Sequence, residues 1–153
     1  MASAHYNIMT QALSALNNIT VAGGYNSDVG SVSTVIKHWE QVDKGDMPAL
    51  FPIAMEEPSK GFAIGEVGNN QEVELTLTVT GFVYDTDPEA RRLAFENLIQ
   101  DVKVAIINHT ALSALILMID EVSTMRDNGT IPDYNVFDVD FNIQYIYNFE
   151  TGG

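Results

Sequence analysis

The chain of 153 residues is long enough for one domain with a real core, and its 46% hydrophobic content excludes wholesale disorder. It has no cysteine, which removes disulfides, thiolate nucleophiles and cysteine-ligated zinc. Seven basic residues against 21 acidic ones leave a net charge of −14, which disfavours tight binding to nucleic acid or anionic membranes, because that attraction needs cations. The longest apolar run, residues 114–119, falls far short of the roughly 18 residues needed to cross a bilayer. The N-terminus carries no basic segment followed by an apolar one, so a soluble protein made and used inside a cell is expected.

No repeat or long linker interrupts the chain, and residues 1–153 read as a single domain. The spacing of Ile8, Ala12, Ala15, Leu16 and Ile19 predicts a helix over about residues 4–17, with Ser3 as its N-cap and Gly23-Gly24 as its break. A turn-rich stretch follows, Tyr25-Asn26-Ser27-Asp28. The β-branched run Val32-Ser33-Thr34-Val35-Ile36 then predicts a strand. After a turn at Asp43-Lys44-Gly45-Asp46, residues 49–55 read as a second strand, which Pro48 and Pro52 place at a sheet edge.

A hairpin is expected next, with Phe62-Ala63-Ile64 as one arm, Gly68-Asn69-Asn70 as its turn and a second arm from Glu72. In that second arm Val73, Leu75, Leu77 and Val79 alternate with Glu72, Glu74, Thr76, Thr78 and Thr80, so one face is buried and the other wet. Asp87-Pro88-Glu89 is a strong helix start, because Asp87 can cap, Pro88 suits the first helical position and Glu89 complements the dipole. Phe95, Leu98, Ile99, Val102 and Ile106 supply its buried stripe, to about Asn108. A short helical turn within residues 110–117 and a strand over about 118–125 follow, closed by a turn at Asp127-Asn128-Gly129.

The last segment is the most regular. Phe137, Val139, Phe141, Ile143, Tyr145, Tyr147 and Phe149 share one face, and Asp138, Asp140, Asn142, Gln144, Asn148 and Glu150 the other, with Ile146 the exception. A slip of one residue would expose every ring, so the register is strongly specified. The fold class expected is α+β: a mixed, mainly antiparallel sheet with helices packed on one face and a β-hairpin extension.

Enzyme signatures are missing from the sequence. Gly61, Gly65 and Gly68 lack the spacing and the following Lys-Ser/Thr of a phosphate loop, and Ser27 lacks the flanking glycines of a nucleophile elbow. His5, His38 and His109 lie far apart, and no acidic stretch matches a calcium loop, so no catalytic, cofactor or metal site is expected. Glu72 and Glu74 read as solvent ions rather than an acid/base pair.

The order of the pieces carries more than any one of them. An N-terminal helix leads to Gly24-Tyr25 and Asp28-Val29-Gly30, then to a proline-flanked strand and the hairpin arm Leu75-Thr76-Leu77-Thr78-Val79. An Asp-Pro-started helix containing Leu98-Ile99-Gln100-Asp101-Val102 follows, then Thr124-Met125-Arg126-Asp127-Asn128-Gly129 and a final Ile143-Gln144-Tyr145-Ile146-Tyr147. Over nearly the whole chain this arrangement resembles tail terminator and related tail-completion (head–tail joining) proteins of tailed bacteriophages. The resemblance implies a non-enzymatic virion protein, assembled in the host cytoplasm, that forms a ring, expected to be hexameric, on the head-proximal end of the tail tube. Its partners would be further copies of itself, the tail tube protein and a neck or connector protein, with DNA passing through the lumen unbound and no membrane involved. Other neck proteins, and a small enzyme or ligand-binding domain, are the alternatives. Loop position and residue type single out Tyr25, Asp28, Trp39, Arg126, Asp127 and Tyr134 as interface candidates, the aromatics being either interface anchors or caps on the core.

Overall fold

A computed structural model describes residues 2–64 and 70–148, and the side chains of residues 2–55 and 71–147. Helix α1 spans Ala4–Asn17; the Ser3 hydroxyl accepts the Tyr6 N–H at 3.1 Å, and Ile8, Ala12, Ala15 and Leu16 form its buried stripe. Ile19 is buried as well, and the chain then turns at Gly24, whose φ of 97° is one a side chain would resist.

Strand β1 is only Ser31–Val32, paired parallel with Ala49 and Leu50. The strand expected over residues 32–36 thus stops early. The Ser33 N–H still donates to the Leu50 carbonyl at 3.1 Å, but the Ser33 hydroxyl accepts the Val35 N–H at 3.1 Å and the chain leaves the sheet. The His38 ring nitrogen then caps the 3-10 turn Trp39–Gln41, accepting the Glu40 N–H at 3.4 Å.

Strand β2, Ala49–Ile64, joins into one element the two pieces read separately at 49–55 and 62–64. It pairs with β3, Asn70–Tyr84, through a register shift between Pro58 and Ala63. Of the expected hairpin turn, Gly68 and Asn69 lie outside the described residues and Asn70 opens β3. Beyond Leu50, β1 no longer covers β2, and Pro52, which has no N–H to offer, sits on that uncovered length as expected.

Helix α2, Pro88–Ile107, starts as the sequence predicts, with the Asp87 carboxylate accepting the Glu89 N–H at 3.1 Å. The short α3, Thr110–Ser113, leads to β4, Met118–Asp127, and β5 spans Tyr134–Asn148. Phe149 and Glu150, expected to continue the pattern, lie outside the described residues.

The sheet order is β1-β2-β3-β5-β4, antiparallel except for β1 with β2, and the fold is a single α+β sheet with helices on one face. Helix α2 lies across β3, β5 and β4, while α1 packs on α2, β1 and β2. Leu75, Leu77 and Val79 face this layer together with Phe137, Val139, Phe141, Ile143 and Tyr145. The alternations read from β3 and β5 therefore meet in register, Leu77 opposite Phe141 and Val79 opposite Val139.

The opposite face is not wet throughout. At one end Ala49, Phe51 and Phe82 are roofed by Val42, Trp39 and Met47, from the segment of two 3-10 turns (Trp39–Gln41 and Lys44–Asp46). Gly30 is needed here, because a Cβ would run into the Asp46 and Met47 backbone.

Candidate functional site

Beyond that roof, the sheet face away from the helices is a polar band. In β3 it presents Glu72, Glu74, Thr76, Thr78 and Thr80, and in β5 Asp138, Asp140, Asn142 and Gln144. Cross-strand register sets both β5 carboxylates beside hydroxyls: Thr78 donates to Asp140 and Thr80 to Asp138, both at 2.6 Å, and Ser123 of β4 donates to Asp140 at 3.0 Å. Gln144 donates to Glu74 at 3.4 Å. Asp120 of β4, opposite Asn142, adds a further carboxylate. From the Thr80–Asp138 pair to the Glu72–Ile146 pair the band runs roughly 26 Å, at ~3.3 Å per residue. Among the described residues it contains no Lys, Arg or His, so the carboxylates share a negative potential that only hydroxyls and amides temper.

The cations whose side chains are described lie elsewhere and are mostly engaged. Arg126 on the helix side of β4 meets Glu96 of α2 through two nitrogens, at 3.1 and 3.2 Å. Lys103 meets Glu121 at 3.2 Å, and Arg92 meets Glu89 at 2.9 Å. Hydrogen bonding from Thr124 and from Lys103 holds the Glu121 carboxyl below the ordinary glutamate range. Arg91 reaches from α2 to the Asp85 carbonyl at 2.7 Å and the Asn135 side chain at 3.1 Å, stapling the helix to the ends of β3 and β5. Lys44 lies over the Tyr84 ring, 4.6 Å from its centroid.

The six interface candidates do not form one site. Trp39 and Tyr134 come together, ring centroids 4.8 Å apart, and Tyr84 packs tilted against Tyr134 at 4.9 Å, closing the roofed end of the sheet. Tyr134 is buried, so it caps core in this chain. Tyr25 packs partly buried against the main core, and the Asp28 carboxylate accepts the Val21 N–H at 2.8 Å, holding its own loop. Asp127 accepts the Thr130 N–H at 3.2 Å in the turn before β5, near Arg126 but pointing to the other face.

Sequence reasoning missed two features. One is the Asp101 carboxylate, on the buried side of α2, which accepts the backbone and side-chain N–H groups of Asn26 at 3.0 and 3.1 Å and so anchors the 25–30 loop. Its position on the buried stripe between Leu98 and Val102 was the signal. The other is a pair of exposed apolar flanks on opposite sides of the sheet, Val35 and Ile36 after β1 and, on the far side, Leu117 just before β4 with Val122 and Met125 along it.

Among the described residues, no group of three or more His, Asp or Glu side chains converges to hold a metal ion, and no helix is long and apolar enough to cross a membrane. The chain matches no protein-family model and no curated protein.

Proposed function

We propose that this protein is a non-catalytic structural component of a phage virion, forming an oligomeric ring that caps the head-proximal end of the tail tube and joins it to the neck. The observation that carries this reading is the acidic, hydroxyl-rich band of β3, β4 and β5, together with the order of elements that resembles tail terminators. A ring with this face inward offers passing DNA carboxylates and hydroxyls, which do not neutralise phosphate, so DNA would move through without sticking. The roofed aromatic end, with Trp39 at its surface, is a rigid boundary suited to contact with a neighbouring ring.

Electron microscopy and light scattering of the purified protein mixed with tail tubes test the proposal. Density at one tube end and arrested tube growth are the expected result; tubes that stay bare and keep growing overturn it.

A second reading, a small ligand-binding domain, draws on the groove between α1 and the uncovered length of β2, about 420 Å³ in volume and lined by Tyr6, Met9, Leu13, Pro52 and Ala54. A thermal-shift screen with nucleotides, sugars and divalent ions separates the two, because a ligand of the folded state raises the melting temperature.

A further inference from the structure

The segment after β1 combines a strand-forming sequence with a non-strand conformation. Ser33-Thr34-Val35-Ile36 is rich in β-branched residues, yet only Ser31 and Val32 pair with β2. Val35 and Ile36 are left 67% and 53% exposed, where their apolar surface contributes nothing to this chain's core. Lys37 follows, exposed, with no carboxylate partner among the described residues.

At the far side of the sheet, β4 is an edge strand, bonded among the described residues only to β5. The bulge between Glu121 and Ser123 turns Val122 outward at 63% exposure, Met125 is 67% exposed, and Asp120 lies exposed on the same strand. An edge bearing apolar side chains is a template for a further strand.

We propose that residues 33–36 of one copy of this chain add to the β4 edge of a second copy, Val35 and Ile36 packing against Val122 and Met125 and Lys37 facing Asp120. Charge decides in favour of this arrangement over its symmetric alternative. Two β4 edges meeting each other would gather Asp120, Glu121 and Asp127 from both copies against one cation per strand, Arg126, in a chain that already carries −14, whereas Lys37, next to the 33–36 segment, brings a cation to those acids. Donor and acceptor lie at opposite ends of the strand order, so each copy that uses its donor on one neighbour leaves its β4 edge free for the next. Such a head-to-tail contact generates a closed ring or an open filament. The inference rests on the oligomeric part of the function proposed above and names the contact that would build it.

Because the natural chain has no cysteine, cross-linking is free of background. The Val35→Cys/Val122→Cys double variant, treated with a short bis-maleimide alone and on tail tubes, should give a ladder of covalent oligomers, while a mixture of the two single variants stops at dimers. Val35→Asp/Lys37→Glu should weaken assembly, read by light scattering, on the order of tenfold or more with an unchanged melting temperature, because both positions are exposed. Either single cysteine variant cross-linking to itself as readily as the double variant overturns the contact, and so does assembly without a ladder; the ring reading survives both. A chain that stays monomeric at every concentration, with and without tubes, overturns both.

Discussion

Gly81 shows how much one residue can carry. It lies between Leu50 of β2 and Phe137 of β5 on the helix-facing side of the sheet, and the Phe137 ring crosses the space where its side chain would be. The alternation that places Leu75, Leu77 and Val79 inward continues through Gly81 to Val83, so the missing side chain marks a close approach rather than a turn. Gly81→Ala should therefore force Phe137 aside and destabilise the fold by about 1–3 kcal/mol, measured by urea unfolding. Asp101 makes the complementary case. Asp101→Ala leaves the Asn26 N–H groups without their partner on α2, and about 1–3 kcal/mol should be lost in the same assay. Glu121 offers a pH test. Its folded carboxyl is held low by Thr124 and Lys103, so the stability it contributes is present above the ordinary glutamate range and is lost as pH falls through its lowered folded value. Thr124→Val should move the Glu121 titration, followed by carboxyl-carbon NMR, back up toward that ordinary range.

At the scale of elements, α2 was the most legible piece. Asp87, Pro88 and Glu89 declare its start locally, and the stripe from Phe95 to Ile106 states which side is buried. Asp87→Ala should cost about 1 kcal/mol of stability, because the Glu89 N–H loses its acceptor. Residues 32–36 were misread for an instructive reason. Their β-branched content is a statement about side chains suited to a pleated surface, but a strand also needs a partner, and β2 offers one only at Ala49 and Leu50, with a last bond at Ser33. The split reading of β2 failed differently: Pro52 and Pro58 interrupt the pattern, yet both fit a strand whose outer side is uncovered along most of its length. Trp39 lies outside the strands, as its loop reading implies, whereas Tyr134 opens β5 instead of lying in a loop, and that their rings pack against each other across almost a hundred residues of sequence was not visible locally.

At the scale of the molecule, the net charge of −14 acquires a location. Asp138, Asp140, Glu72, Glu74 and Asp120 share one face, while Arg91, Arg92, Lys103 and Arg126 all lie on α2 or the helix side of the sheet. If that face lines a channel, reversing it should make DNA stick. Asp138→Lys/Asp140→Lys should show DNA retention in a filter-binding assay that the natural protein lacks, and the retention should fall steeply as salt rises. Retention by the natural protein at moderate salt would contradict the proposed passage of DNA through an acidic lumen.

Local alternation and capping determined β3, β5, the two main helices and the inward faces of β3 and β5, because those signals are carried by side chains close in sequence. Tertiary structure alone decided that the polar faces of β3, β4 and β5 merge into one acidic band, that Asp101 anchors a distant loop, and that the chain after β1 is left unpaired on the flank opposite β4. Each of these depends on strand order, which is set by packing between segments far apart in the chain and leaves no trace in any single one of them.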